Sequence, residues 1–449
     1  MSTFSFKKGK DIRLKGAARK EIVEVLSPKL VAIQPMDFRG LKPRVIVQEG
    51  DSVKKGTPII VDKLMENMKL TAPVSGKVKS ISRGEKRVLL AVVIENDHKN
   101  AFESFKKYQE SEINNLKREE IIQNLLQSGL WPVIRQRPFT KIASAQDNPK
   151  AIFIRALNTD PLAADIDFVL EGQQKEFQAG LNIIKKLTAG KTHLCIKNNT
   201  SSQALTSAKG VEIHRFSGPH PTGNVSTHIQ AVDPINKGDI IWYIEAQDVI
   251  RIAQLFLSGA YPSQCIVALT GEGADNTVYA KTIVGTSIKD LLPKTNFDHK
   301  RCISGSILSG RNVGPDGFLG FYDSQITVIP EGGKRELLGW MVPGFNKYTL
   351  SHTYASAFLP EKEASLNTDK NGSDRAIVLN NVYDNYMTLD ILPYFLFRAI
   401  FCGDIEEAEK LGILECDEED FALASFACPS KIDLGSYIRS CLDLIEKEG

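Results

Sequence analysis

The chain has 449 residues, 42% of them hydrophobic and 24% charged, with a formal net charge of +2. Such a length fits two to four domains whose cores need no staples, and so small a net charge excludes a basic field over the whole surface, hence no nucleic-acid partner is expected. No run approaches the roughly 20 apolar residues that a membrane-crossing helix requires; even Ile391 to Cys402 is broken by Pro393 and Arg398.

The basic start, MSTFSFKKGKDIRLKG, has no apolar stretch behind it, so neither a signal nor a transit peptide is expected. Residues 1–100 are strand-rich, with alternation at Arg44 to Val47 and an apolar strand from Val88 to Ile94. The polar run Asn96 to Asn100 closes this region. A helix is expected at Glu119 to Gln127, stopped by Gly129. Short apolar strands and helices then alternate: strands at Ala151 to Ile154, His193 to Ile196 and Val211 to His214, helices at Gln173 to Leu187 and Ser201 to Ala208. That alternation implies a parallel sheet covered on both faces. A helix from Ala246 to Leu257 leads to a strand at Cys265 to Leu269 and a helix start near Ile288, with Thr286 as its expected N-cap. Residues 300–350 are Gly-rich and β-patterned, and from Met387 the chain reads as helices: Leu389 to Cys402, Asp404 to Leu411, Glu418 to Ala427 and a tail from Gly435.

Gly50 to Val78 has the layout of a biotinyl or lipoyl carrier domain, two β-rich halves around a polar centre that bears Lys63 and Lys69. A carrier lysine must stand at the hairpin tip so that its arm can swing clear. Lys69 lies four residues before Pro73 of the return strand, inside the descending strand, and Lys63 lies ten before it, which leaves the tip too long. The hairpin is therefore expected to be an unmodified contact surface, with a lysine-linked biotin or lipoyl carrier enzyme as the alternative. Seven cysteines are scattered without a CxxC, the last four 14, 12 and 13 residues apart. Buried free thiols on helices are expected rather than a cluster or metal site.

Phosphate binding in an α/β sheet calls for glycines that let backbone N–H groups approach. The segment Ser128 to Lys141 keeps one glycine, while Trp131, Arg135, Arg137 and Phe139 fill the rest. The arginines could fork onto an anion and the rings could stack on a planar group; a packed loop with surface arginines is the simpler account. Ser217 to His228 carries turn formers at seven of twelve positions with His220 and His228, which marks it as the lining of a site or an interface. No neighbouring acidic pair completes a metal site there.

Taken in order, GDSVKKG, TAPVSGKV, RGEKRVLLAVVI, SGPHPTGNVSTHI, ISGSILSG, LGWMVPGFNKY, LFRAIFCGD and LECDEEDFALASFACPSK resemble the NqrA family of sodium-translocating NADH:quinone oxidoreductase subunits over nearly the whole chain. The resemblance implies an α/β multidomain protein. Its parts would be a biotinyl/lipoyl-carrier-like β domain (1–100) and a Rossmann-like parallel α/β domain similar to the flavin subunit of respiratory complex I (101–257), followed by an SLBB or β-grasp, β-rich region (258–372) and a C-terminal helical domain (373–449). It implies a translocase component at the cytoplasmic face of the bacterial inner membrane, held by the membrane subunits of a complex that passes electrons from NADH to ubiquinone and exports sodium. In that family NAD, flavins and iron–sulfur centres belong to other subunits, ubiquinone is a possible ligand, and no covalently bound cofactor is implied here. Against flavin-binding relatives, this chain has SGLWPVIRQRPF in place of a glycine-rich loop and lacks clustered cysteines. Trp131, Arg135, Arg137, Phe139, His220 and His228 are the quinone or interface candidates.

Overall fold

The computed structural model describes residues 2–333, 336–377 and 381–448. Its first β unit is a flattened barrel of two facing sheets. One sheet orders Leu30–Ile33, Leu89–Asn96, Gly76–Arg83 and Ser52–Val53; the other orders Pro43–Val45, Pro58–Asp62 and Lys69–Thr71. Strands rich in Ile and Val, some of them buried on both faces, close on an apolar interior that includes Ile59, Ile60, Val92 and Ile94.

The hairpin tip, residues 63–68, is tied to the rest of the molecule. The Asp62 carboxylate accepts from the Lys42 and Leu64 amides, and the Lys63 amide donates to Lys42 O at 2.9 Å. Met68, 2% exposed, enters the core of the neighbouring α/β unit, and the Thr71 hydroxyl donates to Ser128 O at the end of the helix Arg118–Ser128. Lys69 lies within its strand, paired with Val61.

Seven strands form the α/β sheet, in the order Ser2–Ser5, Glu212–Ser217, Lys191–Lys197, Ala151–Ala156, Ile241–Glu245, Arg135–Arg137, Lys141–Ile142. The first five run parallel and the last two antiparallel. The helices Gln174–Ile184 and Ala246–Ser258 cover one face and Val225–Val232 the other, which is why the central strands are apolar on both sides. The edge strand comes from the start of the chain, and Arg19–Glu24 joins the next sheet beside Val278–Ile283. These first strands thus leave the barrel that follows them and stitch it to both neighbours.

That next sheet has six strands, Arg311–Asn312, Lys300–Ser304, Gln325–Pro330, Gln264–Thr270, Val278–Ile283 and Arg19–Glu24. The β pattern expected across 300–350 ends at Pro330; residues 336–350 form turns that leave Leu337, Trp340 and Phe345 in solvent, with no partner strand for their backbone among the described residues. The N-cap of Ile288–Leu291 is Ser287, whose hydroxyl accepts from the Asp290 amide. The expected cap, Thr286, instead donates to Ile283 O at 2.7 Å and accepts from Thr282. The terminal helices Pro393–Cys402, Ile405–Lys410, Ala422–Ala427 and Leu434–Glu448 pack around Phe397, Phe421, Ile438 and Leu442. Cys195, Cys302, Cys416, Cys428 and Cys441 are buried free thiols, whereas Cys402 is exposed and Cys265 half-buried. Only Cys402 and Cys441 lie within helices.

Candidate functional site

A cleft of about 590 Å³ opens where the barrel, the α/β unit, the six-stranded sheet and the C-terminal helices converge. It lies at the carboxyl ends of the parallel strands: Arg155 is the penultimate residue of Ala151–Ala156 and Glu245 ends Ile241–Glu245. Ligands of open α/β sheets bind at such ends. The volume falls within the small-molecule range.

Arg135 forms one wall. Its guanidinium bonds to Glu245 at 2.9 Å and sits 4.5 Å from the ring centroids of both Tyr243 and Tyr322. An arginine between two aromatic faces and a carboxylate is held in place as well as charged. Arg155 shares Glu245 at 3.4 Å and donates to Gly223 O at 2.8 Å, yet its Nη2 is buried without a hydrogen-bond partner. Arg251 pairs with Asp248 at 2.8 Å and also keeps an unpartnered Nη2. On the opposite wall Asp37 accepts from Arg311 at 2.9 Å and from the Phe321 amide. Burial shifts four carboxyls of the cleft upward, Asp37 and Asp248 among them. Burial pushes Asp323 to about 6 against its bond from Ser304, and burial pushes Glu419 to about 7 against Arg155 and Arg137, with Asp420 and Asp417 reinforcing it.

Behind this wall Arg137 is 1% exposed and faces Glu419 at 3.3 Å and Asp417 at 3.6 Å. Arg39 of the barrel and Arg439 of the last helix reach the same Asp417 at 3.7 and 3.5 Å. Burial alone would raise the Asp417 carboxyl, and Arg137, Arg39 and Arg439 together hold it below the usual range. One carboxylate thereby ties three units.

Among the residues singled out from sequence, Arg135 lines the cleft and Arg137 backs it. Phe139 packs on the C-terminal helices, where its carbonyl accepts from Arg439. Trp131 is in the α/β core, edge-on to Trp242, with its indole N–H on Ala143 O at 2.7 Å. His220 is buried beside Thr159 and Asp160, and its amide donates to Asp11. His228 packs at a tilt against Phe216 and bonds to Thr222 O at 3.0 Å. Their loop faces the C-terminal unit through Asn224 on Asp420 and Thr227 on Thr388. Arg155, Glu245, Asp323 and Glu419 were not singled out from sequence. Their only signal was the acidic run Asp417 to Asp420, since the others are single residues at strand ends and turns.

Three family models match the chain: the NqrA N-terminal barrel-sandwich hybrid domain over residues 4–97, the NqrA second alpha/beta domain over 116–261 and the NQRA C-terminal domain over 266–314. The NqrA-type subunit of the Na(+)-translocating NADH-quinone reductase of Marinomonas sp. is 39% identical over 448 residues, 99% of this chain and 100% of that protein. Its counterparts of the same name from Neisseria meningitidis and Vibrio alginolyticus are also 39% identical, over 99% of this chain and 99% and 100% of theirs. A solved NAD+-reducing [NiFe]-hydrogenase chain overlaps 50% of this chain and 51% of its own at 12% identity and a TM-score of 0.35, too distant to carry an argument. With barrel-sandwich, α/β and SLBB-like parts in the same order and matches spanning both chains, the protein belongs to the NqrA family of Na(+)-translocating NADH-quinone reductase subunits.

Proposed function

We propose that the chain is the peripheral NqrA component of a Na+-translocating NADH:ubiquinone reductase, a translocase that couples electron transfer from NADH to ubiquinone with Na+ export. It sits on the cytoplasmic face of the membrane, held by the complex's membrane subunits. Among the described residues no helix is long and apolar enough to cross a membrane. The observation that carries the docking is the segment 337–359. Leu337 is 93% exposed, Trp340 74%, Phe345 60% and Phe358 89%, with Met341 and Leu338 beside them. So many large apolar side chains in one short segment mark a surface that is covered in an assembly.

The second reading concerns the cleft. The Nη2 atoms of Arg155 and Arg251, buried without a hydrogen bond although the former faces Asp160 at 4.0 Å, favour together with Phe321, Tyr322 and Arg135 a planar ligand with carbonyl oxygens, and ubiquinone is the one the complex supplies. Arg135 contacts it, Arg137 and Phe139 hold the helical unit behind it, and Trp131, His220 and His228 keep the surrounding loops in shape. The glycine-poor Ser128 to Lys141 segment supports the reading that flavin and NADH are held by other subunits. The division into four units near residues 100, 257 and 372 belongs to the same reading. So do the kinship of the barrel with lysine carriers and that of the α/β unit with complex I.

Trp340→Asp with Phe345→Asp tests the docking. The variant chain is expected to keep its melting temperature and to lose co-purification with the membrane subunits; assembly at the wild-type yield would overturn it. Photolabelling of the complex with a quinone analogue tests the cleft. Label within peptides carrying Arg135, Arg155 or Tyr322 is expected, and label confined to other segments refutes that assignment.

A further inference from the structure

We infer that His193, Glu212 and His214 form a binding site for one divalent transition-metal ion of the Zn2+ class, at the opposite end of the parallel sheet from the cleft. His193 Nδ1 lies 3.0 Å from His214 Nε2, and Glu212 Oε2 lies 3.6 and 3.9 Å from these two nitrogens. An ion bound tetrahedrally at the usual Zn–N and Zn–O lengths sets neighbouring donor atoms about 3.3 Å apart. The three separations bracket that value, so the donors meet an ion with movements of a few tenths of an ångström. Two imidazoles and a carboxylate are also the ligand chemistry that such an ion prefers.

The donors stand on rigid backbone. His193 is in register with Glu212, and Cys195 with His214, on adjacent parallel strands, so all three side chains leave the same face of the sheet. Phe153 packs on the His193 ring at 4.7 Å and Phe4 on the His214 ring at 6.2 Å.

Entry is open on one side, because the Glu212 side chain is 44% exposed. Lys191 occupies Oε1 at 2.8 Å, which leaves Oε2 for the ion and room for a water to complete its shell. The outer nitrogens, His193 Nε2 and His214 Nδ1, have no hydrogen-bond partner. Outer partners normally orient ligating imidazoles and raise affinity, so binding is moderate rather than of the tightest structural kind. The Ser2–Ser5 strand begins opposite His214, and an ion here fastens that edge strand.

The test uses the full-length, untagged chain, freed of metal with a chelator and titrated with Zn2+ and Co2+. One saturable site per chain is expected, with the visible d–d bands of four-coordinate Co2+ but no strong near-ultraviolet thiolate absorption, and a Zn2+-dependent rise in melting temperature. Glu212→Gln, at a half-exposed position where folding is safe, and His214→Gln are expected to weaken binding at least about tenfold and to abolish the thermal shift. Absence of saturable binding, a thiolate-type Co2+ spectrum, or binding unchanged in Glu212→Gln would each overturn the site, the last without reliance on the buried variant.

Discussion

The Arg137 guanidinium approaches Asp417 at 3.6 Å, with the two side chains 1% and 4% exposed. Each arrives from a different unit, and Asp417 is also faced by Arg39 and Arg439. Removing one charge of a buried group strands the others, at a cost of about 3–5 kcal/mol. Asp417→Asn is therefore expected to lower the melting temperature strongly and to hasten proteolysis between the six-stranded sheet and the C-terminal helices. Arg39→Gln removes a third-exposed partner and is expected to cost far less. Thermal melts and limited proteolysis check both, and an unshifted melt for Asp417→Asn would contradict the tie.

Glu419 gives a pH signature. A carboxyl raised from 4.5 to about 7 in the native protein keeps a proton that the unfolded chain has already released. Native stability therefore falls as pH rises through that window. His193 and His228, held down to about 4 and about 3, act in the opposite sense below their ordinary 6.5, so the informative quantity is a difference. The melting temperature of Glu419→Gln minus that of wild type is expected to increase from pH 5 to pH 8. A difference independent of pH would show that Glu419 titrates normally.

His228 sets the acid side. Burial, aided by Arg155, depresses its pKa from 6.5 to about 3; the unfolded chain takes up a proton that the native chain refuses. The stability this group contributes is present above about pH 6.5 and is lost as pH falls towards 3. His228→Gln is expected to show a shallower loss of stability between pH 6 and 4 than wild type, measured by urea titration at each pH.

Two glycines separate backbone strain from contact. Gly129 and Gly403 both end helices in the left-handed region, at φ 77 and 72. A Cβ at Gly403 meets nothing within 4 Å, whereas one at Gly129 meets Thr71 at 2.7 Å. Gly403→Ala is expected to cost about 1 kcal/mol from backbone strain alone. Gly129→Ala is expected to cost measurably more in the same denaturant assay, because it also wedges the hairpin off the helix. The same docking fixes the tip that bears Lys63, and the intact mass of protein from its native host is expected to match the unmodified sequence.

Periodic elements were the legible part. The helix ending at Gly129 and the strands at Ala151, His193 and Cys265 follow from apolar spacing, and the parallel sheet follows from their alternation. Pairings over long sequence distances were not legible. Ser2–Ser5 and Arg19–Glu24 lie in a stretch that read only as strand-rich, and no local pattern tells which edge a strand will join. The site behaved in the same way. Arg135 and Arg137 stood out as two arginines in a segment expected to be glycine-rich, but Arg155 and Glu245 are ordinary letters until their strands lie side by side. His193 and His214 became neighbours only through strand register, which no spacing rule along one chain records.

Because Ser2 pairs with His214, the first strand made is among the last in its sheet to find a seat. During synthesis the barrel can close while the strand ahead of it still hangs free, and that strand must wait until the edge at Glu212–Ser217 has emerged. Anything fused ahead of Ser2 is carried to that edge and to the paired histidines beside it, so labels for purification or imaging belong at the other end of the chain.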